Sequence, residues 1–405
     1  MELRDFHFLL SPEGSERLEQ LTETPITPQN HLALASQLRQ EVTSGQAHAL
    51  LETAMLRQRA EEKFSRAAQM FFTRPALEQA SSEIVSAHRS ARYAAAGFDC
   101  VADLGCSVGG DALNLAAGTH VIGVDRDRLR LRMARENVSV YGREDHFQPL
   151  LADLRELPPL GVDALFFDPG RRDERGRRLT SVHDYRPPLS LLDGWLPVVP
   201  HAGVKVSPGV DYAELPEGAE VEFISASGEV KEAVFWFGAL NGGVARRATL
   251  LPSGDTLTTA DDTGEQVPVT RPGDYLYEPD GAVIRAHLVE ALAQRLGAAK
   301  IDEEIAYLTA DRAQPTPFAR CFAVDEAMPF QLKRLRHELR RRGVGRVTVK
   351  KRGSPLEPET LQRRLRLEGE THATLFLTHV QGEPYVLIGR EYGGEGARTN
   401  TPENG

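Results

Sequence analysis

The chain has 405 residues, 41% of them hydrophobic, and a formal net charge of −10, enough apolar content to bury full cores in two or three domains. No window of eighteen apolar residues occurs, which excludes a long apolar spanning helix, and the acidic start MELRDFHFLLSPEGSE lacks the basic-then-apolar order of a secretory signal. The three cysteines (Cys100, Cys106, Cys321) are too few and too badly spaced for a disulfide framework or a zinc site, so the expectation is a soluble cytoplasmic protein with no metal and no membrane partner.

Residues 1–96 read as a helical N-terminal module. Leu32, Leu34, Leu38 and Val42 suit one helix, and Ala47, Leu50, Leu51, Ala54 and Met55 another after Gly45. Pro75 starts a third that carries Leu77, Ala80, Ile84, Val85 and His88 on one side and ends before Gly97.

From 97 to 243 the period changes to short apolar runs separated by helices. Cys100 to Leu104, His120 to Val124, Phe147 to Leu151, Ala164 to Phe167 and Gly203 to Ser207 are expected strands, each too short for a helix and flanked by turn residues. Their alternation with helical segments predicts an α/β fold with a mostly parallel sheet. Glu220 to Ser225 and Val230 to Phe237, four residues apart, predict an antiparallel edge hairpin.

Residues 244–328 form a connecting region of short β-like pieces and a helix from about Ala282 to Leu296. Residues 329–392 read as a small α+β domain: a helix (Phe330 to Arg342), a strand (Arg346 to Lys351), a helix (Pro358 to Arg366), then strands Ala373 to His379 and Tyr385 to Arg390. The tail 393–405 is poor in apolar residues and is expected to be disordered. Between Gln331 and Glu368 thirteen Lys and Arg stand against four acids, so the acidic average conceals one basic region.

The stretch VADLGCSVGGDALNLAAGTHVIGVD (Val101 to Asp125) carries the most chemistry. It reads as a strand ending in a carboxylate, a glycine turn, a helix, and a second strand ending in another carboxylate. A dinucleotide fold wants a middle glycine so that the backbone can approach a pyrophosphate; here that position is Ser107. A P-loop is excluded because no Gly-Lys-Ser/Thr follows.

The alternation Asp103, Gly105, Ser107, Gly109 instead resembles the first motif of class I S-adenosylmethionine-dependent methyltransferases, with serine at the middle glycine. The resemblance implies a Rossmann-like sheet and a loop that wraps the methionyl part of S-adenosyl-L-methionine. Asp125, ending the second strand, would accept from the ribose hydroxyls, and Asp153, after FQPLLAD, would lie near the adenine amino group.

The fourth strand ends in DALFFDPGRR. Methyltransferases acting on exocyclic amines of bases carry Asp/Asn-Pro-Pro-aromatic here; Asp168-Pro169 matches that start, and Gly170-Arg171-Arg172 departs from it. Two readings stay open. Asp168 orients a nucleophilic nitrogen while Arg171 and Arg172 hold phosphate or stack on a base. Alternatively, Asp168 is a structural strand-end acid and the arginines belong to a solvated turn. The loop that follows offers His183 and Tyr185 as further substrate contacts.

With VIGVDRDRLRLRMARENVSVYG, LEQASSEIVSAHRSARY and VTVKKRGSPLEPETLQRRLRL added, the chain is similar to bacterial methyltransferases with a THUMP-like C-terminal domain, whose catalytic part resembles trimethylguanosine synthase. That likeness implies an RNA partner. On the strand from Arg346, alternate residues share a face, so Arg346, Thr348 and Lys350 point away from a core of valines, and Lys351 and Arg352 continue a basic turn suited to a phosphate backbone. The expected function is methylation of a base in structured RNA (tRNA or rRNA). The alternatives are a non-catalytic RNA-binding protein with a degenerate methyltransferase fold, and methylation of protein or a small molecule.

Overall fold

The computed structural model describes residues 1–22, 25–171, 177, 179 and 181–393. Arg172 and, within the tail expected to be disordered, residues 394–405 lie outside the described residues. The chain divides into two units: Met1–Glu222 with Glu232–Gly243, and Phe223–Lys231 with the chain from Val244 onward.

Six helices open the first unit: α1 (Leu3–Leu9), α2 (Pro12–Thr22), α3 (His31–Glu41), α4 (Ser44–Ala60), α5 (Arg74–Gln79) and α6 (Glu83–Ala96). Helix α4 begins with a reciprocal cap, in which the Thr43 hydroxyl accepts from the Gln46 amide at 3.3 Å and the Gln46 side chain accepts from the Thr43 amide at 3.0 Å. The single helix expected from Pro75 to Ala96 is two. Lys63 Nζ donates to the carbonyls of Leu77 and Ala80, each at 2.8 Å, and so satisfies the end of α5 that would otherwise need a further turn. Helix α6 does end as expected, on Gly97 at φ +73°.

Next come β1 (Cys100–Leu104), α7 (Ala112–Leu115), β2 (His120–Asp125), α8 (Arg128–Val140), β3 (Phe147–Leu151), β4 (Ala164–Phe167), α9 (Leu192–Trp195), β5 (Ala202–Val206), β6 (Glu220–Ala226) and β7 (Glu229–Phe237). The strands lie in the order β3-β2-β1-β4-β5-β7-β6. The first five are parallel and β7 runs antiparallel to β5. Strands β4 and β5 are buried along their whole length, which is why they read as continuous apolar runs. The order reverses between β1 and β4, and a sheet of this kind receives ligands beyond the carboxyl ends of the strands at that point.

In the second unit, β8 (Arg246–Leu251) and β9 (Asp255–Thr258) pair as an antiparallel hairpin. After them follow β10 (Tyr275–Pro279), α10 (Gly281–Arg285), α11 (Val289–Leu296), β11 (Ala299–Lys300), β12 (Leu308–Ala310), β13 (Ala319–Pro329), α12 (Leu332–Arg341), β14 (Val344–Lys351), α13 (Pro358–Leu365), β15 (Thr371–Val380) and β16 (Glu383–Glu391). The helix expected over 282–296 is broken between α10 and α11, where His287 takes φ +52° and Arg246 Nε donates to the Ala286 carbonyl at 2.8 Å. A seven-stranded sheet runs β11-β12-β10-β13-β16-β15-β14. Leu335 and Leu339 of α12 and Leu361 and Leu365 of α13 pack on Leu375, Leu377, Val386 and Ile388. No helix among the described residues is long and apolar enough to cross a membrane.

Candidate active site

The turn after β1 is forced by its backbone. Gly105 (φ +91°) and Gly109 (φ +80°) take left-handed conformations, and Ser107 joins them at φ +50°. The amides of Gly105 and Cys106 both donate to the Val124 carbonyl, at 2.9 and 3.0 Å, and fold the turn back over β2. A Cβ at position 105 would stand 3.0 Å from the Asp168 carbonyl oxygen, and one at 109 would stand 3.2 Å from Ala134 Cα. The glycines therefore serve both conformation and close approach.

Asp125 is braced by that turn: Oδ2 accepts from the Ser107 amide at 3.1 Å and Oδ1 from the Asp127 amide at 2.8 Å. Burial pushes its carboxyl above the ordinary range, and these two amides pull against that shift. Asp103 is almost fully buried, and neither of its carboxyl oxygens has a hydrogen-bond partner. Its pKa is driven well up, first by burial and then by Asp111 and Asp168, against the pull of Arg89 and Lys205. Asp153 is clasped by Arg155, Nε to Oδ1 at 3.0 Å, and the guanidinium holds its carboxyl well below the usual range.

Asp168 follows β4. Its Oδ2 receives a hydrogen bond from Lys205 Nζ at 2.6 Å. Pro169 is buried, and Gly170 exchanges backbone hydrogen bonds with Arg186 at 2.9 and 3.0 Å. Arg171 Nη1 reaches the Val206 carbonyl at 3.4 Å. Tyr185 is buried, and its hydroxyl accepts from the Ser207 amide at 3.1 Å, which fixes the start of the loop after β5; His183 is exposed. Burial raises the Tyr185 phenol.

These residues meet at one cavity of about 650 Å³. Gly105, Ser107, Asp111, Asp125, Asp153, Asp168, Pro169, Gly170 and Arg171 line it; Asp103 lies behind its wall, and Gly109 packs on α8. The residues fit a bound S-adenosylmethionine. The orphaned Asp103 and the acids Asp111, Asp125 and Asp168 suit a ligand that carries positive charge, and the crowding at Gly105 leaves the turn a bare backbone cradle.

Several cavity residues escaped the reading of the sequence. The end of α5 (Glu78, Gln79, Ala80) forms one wall, and Arg126, Arg130, Arg155 and Arg186 stand with Arg171 around it. Arg89, on α6, pairs with Asp111 and Glu232 and lies 5.1 Å over the Phe166 ring. Lys205, buried behind the cavity wall, escaped as well, although the sequence carried a signal for it. A lysine inside the apolar run AGVKV, in a chain that prefers arginine, requires a buried partner.

In the second unit Arg346 and Thr348 are exposed on β14, while Val347 and Val349 pack inward, as the alternation predicts. The other basic candidates are engaged within the fold. Lys350 pairs with Glu278 and lies 5.4 Å from the centre of the Phe322 ring. Lys351 meets Glu357 at 2.7 Å, and Arg352 donates to the Ala306 carbonyl at 2.6 Å while stacking on Tyr307. On α12, Arg340 donates to the Arg366 carbonyl at 2.9 Å, and Arg341 and Arg342 clamp Glu338, whose carboxyl drops to about 2. Lys333 and Arg334 are exposed.

A THUMP domain-like family matches residues 319–391, and a domain of unknown function matches residues 2–60. S-adenosylmethionine-dependent methyltransferases from two Mycobacterium tuberculosis strains, CDC 1551 / Oshkosh and ATCC 25618 / H37Rv, are each 37% identical over 347 residues, covering 82% of this chain and 92% of theirs. A solved structure from Porphyromonas gingivalis W83, assigned as a methyltransferase, shares the fold with a TM-score of 0.73 at 22% identity, over 91% of this chain and 100% of its own. With its glycine turn, its strand-end acids and these relatives, the chain belongs to the S-adenosylmethionine-dependent methyltransferases and carries a THUMP-like C-terminal domain.

Proposed function

We propose that the protein methylates a base of structured RNA, with the first unit holding the cofactor and the target nucleotide and the second unit contributing RNA affinity. The observation that carries this reading is the composition of the cavity, where an acceptor carboxylate, Asp168, shares the wall with five arginines among the described residues, Arg126, Arg130, Arg155, Arg171 and Arg186. Carboxylate acceptors suit an amine nucleophile, and guanidinium groups suit the phosphates on either side of it. The THUMP-like match supports the same partner.

When bound, S-adenosylmethionine supplies an electrophilic methyl group on a sulfonium, so the protein's own work is placement and exclusion of water. Asp125, pinned by the Ser107 and Asp127 amides, would take the ribose hydroxyls. Asp153 would take the adenine amino group while sharing its charge with Arg155. Asp168 would accept from the nucleophilic amine, and Pro169 and Gly170, tied to Arg186, would set the plane against which the base lies. Asp103 and Gly109 would act from behind, one as a buried carboxyl beside Asp111 and Asp168 and one through packing on α8. Exposed Arg346, Lys333 and Arg334 are the phosphate contacts of the second unit on this reading.

Two measurements test the proposal. Calorimetry with S-adenosylhomocysteine gives micromolar binding to the intact protein, lost in Asp125→Ala. Tritiated-methyl transfer to RNA from a strain lacking the gene gives ribonuclease-sensitive labelling that Asp168→Ala abolishes with binding intact. Labelling that survives ribonuclease sinks the RNA reading.

A further inference from the structure

Lys205 occupies a position that stability alone explains poorly. It lies within β5 between Val204 and Val206, is 2% exposed, and donates from Nζ to Asp168 Oδ2 at 2.6 Å. A buried ammonium and its carboxylate commonly stabilise a fold no better than apolar residues of the same size. The Asp168 side chain is also not sealed in: it keeps 23% of its surface and lines the cavity, whereas Lys205 approaches from behind the wall. An ion pair with one member buried and the other facing a ligand cavity is a device for holding the second in place.

We propose that Lys205 is the positioning residue of Asp168, an inference that rests on the reading of Asp168 as the substrate-facing acceptor. The ammonium occupies Oδ2 and fixes the plane of the carboxylate. Among the described residues Oδ1 then has no donor and is the oxygen left to a substrate hydrogen. That arrangement selects a nucleophile bearing an N–H, such as an exocyclic amine of a base, over a ring nitrogen with no hydrogen to donate. It also keeps the carboxylate from turning toward Arg171, which shares the cavity wall. Lys205 touches neither cofactor nor base on this account.

The test begins without a substrate. The chain has seven lysines, so a protein labelled with nitrogen-15 in its lysine side chains gives a readable spectrum. Among the ammonium resonances with slowed proton exchange, which should include those of Lys63, Lys300 and Lys350, one is expected to be absent in Lys205→Met and displaced in Asp168→Asn. Transfer to RNA is then measured. Lys205→Met lowers kcat by about thirtyfold or more, while KM for RNA and calorimetric affinity for S-adenosylhomocysteine change by less than about threefold; Lys205→Arg recovers most of kcat. A merely structural lysine would lower thermal stability and cofactor affinity together and would not split kcat from KM.

Wild-type turnover in a folded Lys205→Met variant overturns the proposal, as does an ammonium resonance indifferent to Asp168→Asn. Should Lys205→Met not fold, the resonance and the kcat of Lys205→Arg decide. Absence of RNA labelling by the wild-type protein overturns the substrate reading and the positioning role with it, whereas the resonance reports on the ion pair separately.

Discussion

Asp103 has two buried carboxyl oxygens with no partner, beside two other acids, and this gives the ligand-free protein one pH-dependent contribution to its stability. Its pKa is raised in the folded state, so between the unfolded value near 4 and the folded value the native form binds the extra proton. The stability this contributes is complete below the unfolded pKa and is lost as pH rises through the folded one, at up to about 1.4 kcal/mol per pH unit. Asp125 has the same sign. Glu338 and Asp153, held low by arginines, act oppositely and matter only as pH falls toward their depressed values. Urea midpoints measured from pH 5 upward should decline in the wild-type protein and decline less in Asp103→Asn; equal slopes would remove Asp103 as the cause. Gly105→Ala should cost about 1–2 kcal/mol from its left-handed backbone and its contact with the Asp168 carbonyl. Cofactor affinity should fall with it, read by calorimetry at a temperature where the variant is folded.

Strands were more legible than helix ends, and the reason is locality. The runs Cys100 to Leu104, Phe147 to Leu151 and Ala164 to Phe167 form β1, β3 and β4 at those bounds, because turn residues a few positions away delimit each. The split between α5 and α6 was hidden because its agent, Lys63, lies 14 residues from one of the carbonyls it captures and 17 from the other. Helices α1 and α2 fall within the module expected to be helical, but their bounds were not legible: seven and eleven residues long, they are joined at Ser11, whose hydroxyl donates to the Phe8 carbonyl and accepts from the Gly14 amide. The same contrast runs through the site. Gly105, Ser107 and Asp125 could be named from spacing, whereas Arg89 meets Glu232 143 residues away. The Lys63 contact has a measurable effect at this scale. Lys63→Met should fray the end of α5, lowering stability by about 1–3 kcal/mol, and should weaken S-adenosylhomocysteine binding because Glu78, Gln79 and Ala80 form a cavity wall. Unchanged affinity would show that this wall does not depend on the lysine.

For the molecule as a whole, a net charge of −10 opposes any polyanionic partner at long range, so RNA affinity on the proposed function must come from local clusters. Much of the basic C-terminal composition is spent inside the fold, with Lys350, Lys351, Arg340, Arg341 and Arg342 all held by intramolecular acceptors. Exposed Arg346, Lys333, Arg334, Arg364 and Arg366 remain, and together with the cavity arginines they should give RNA binding a salt dependence to which each cation contributes. Each of Arg346→Ala and Lys333→Ala should reduce the slope by about 1. Replacement of Lys351 should alter that slope less, and a larger effect there would reassign the face.

The tip of the β6–β7 hairpin, Phe223–Lys231, is counted with the second unit while residues on both sides of it are counted with the first. Within the second unit Ser225 donates to Asp280 at 3.1 Å, and Gly281 leaves no room for a side chain against Val230. The peptide therefore passes from one unit to the other after Glu222, after Lys231 and after Gly243. For a gene this has a plain meaning: no single break point separates the residues of one unit from those of the other, and a fragment ending at Gly243 would carry Phe223–Lys231 without Asp280 and Gly281.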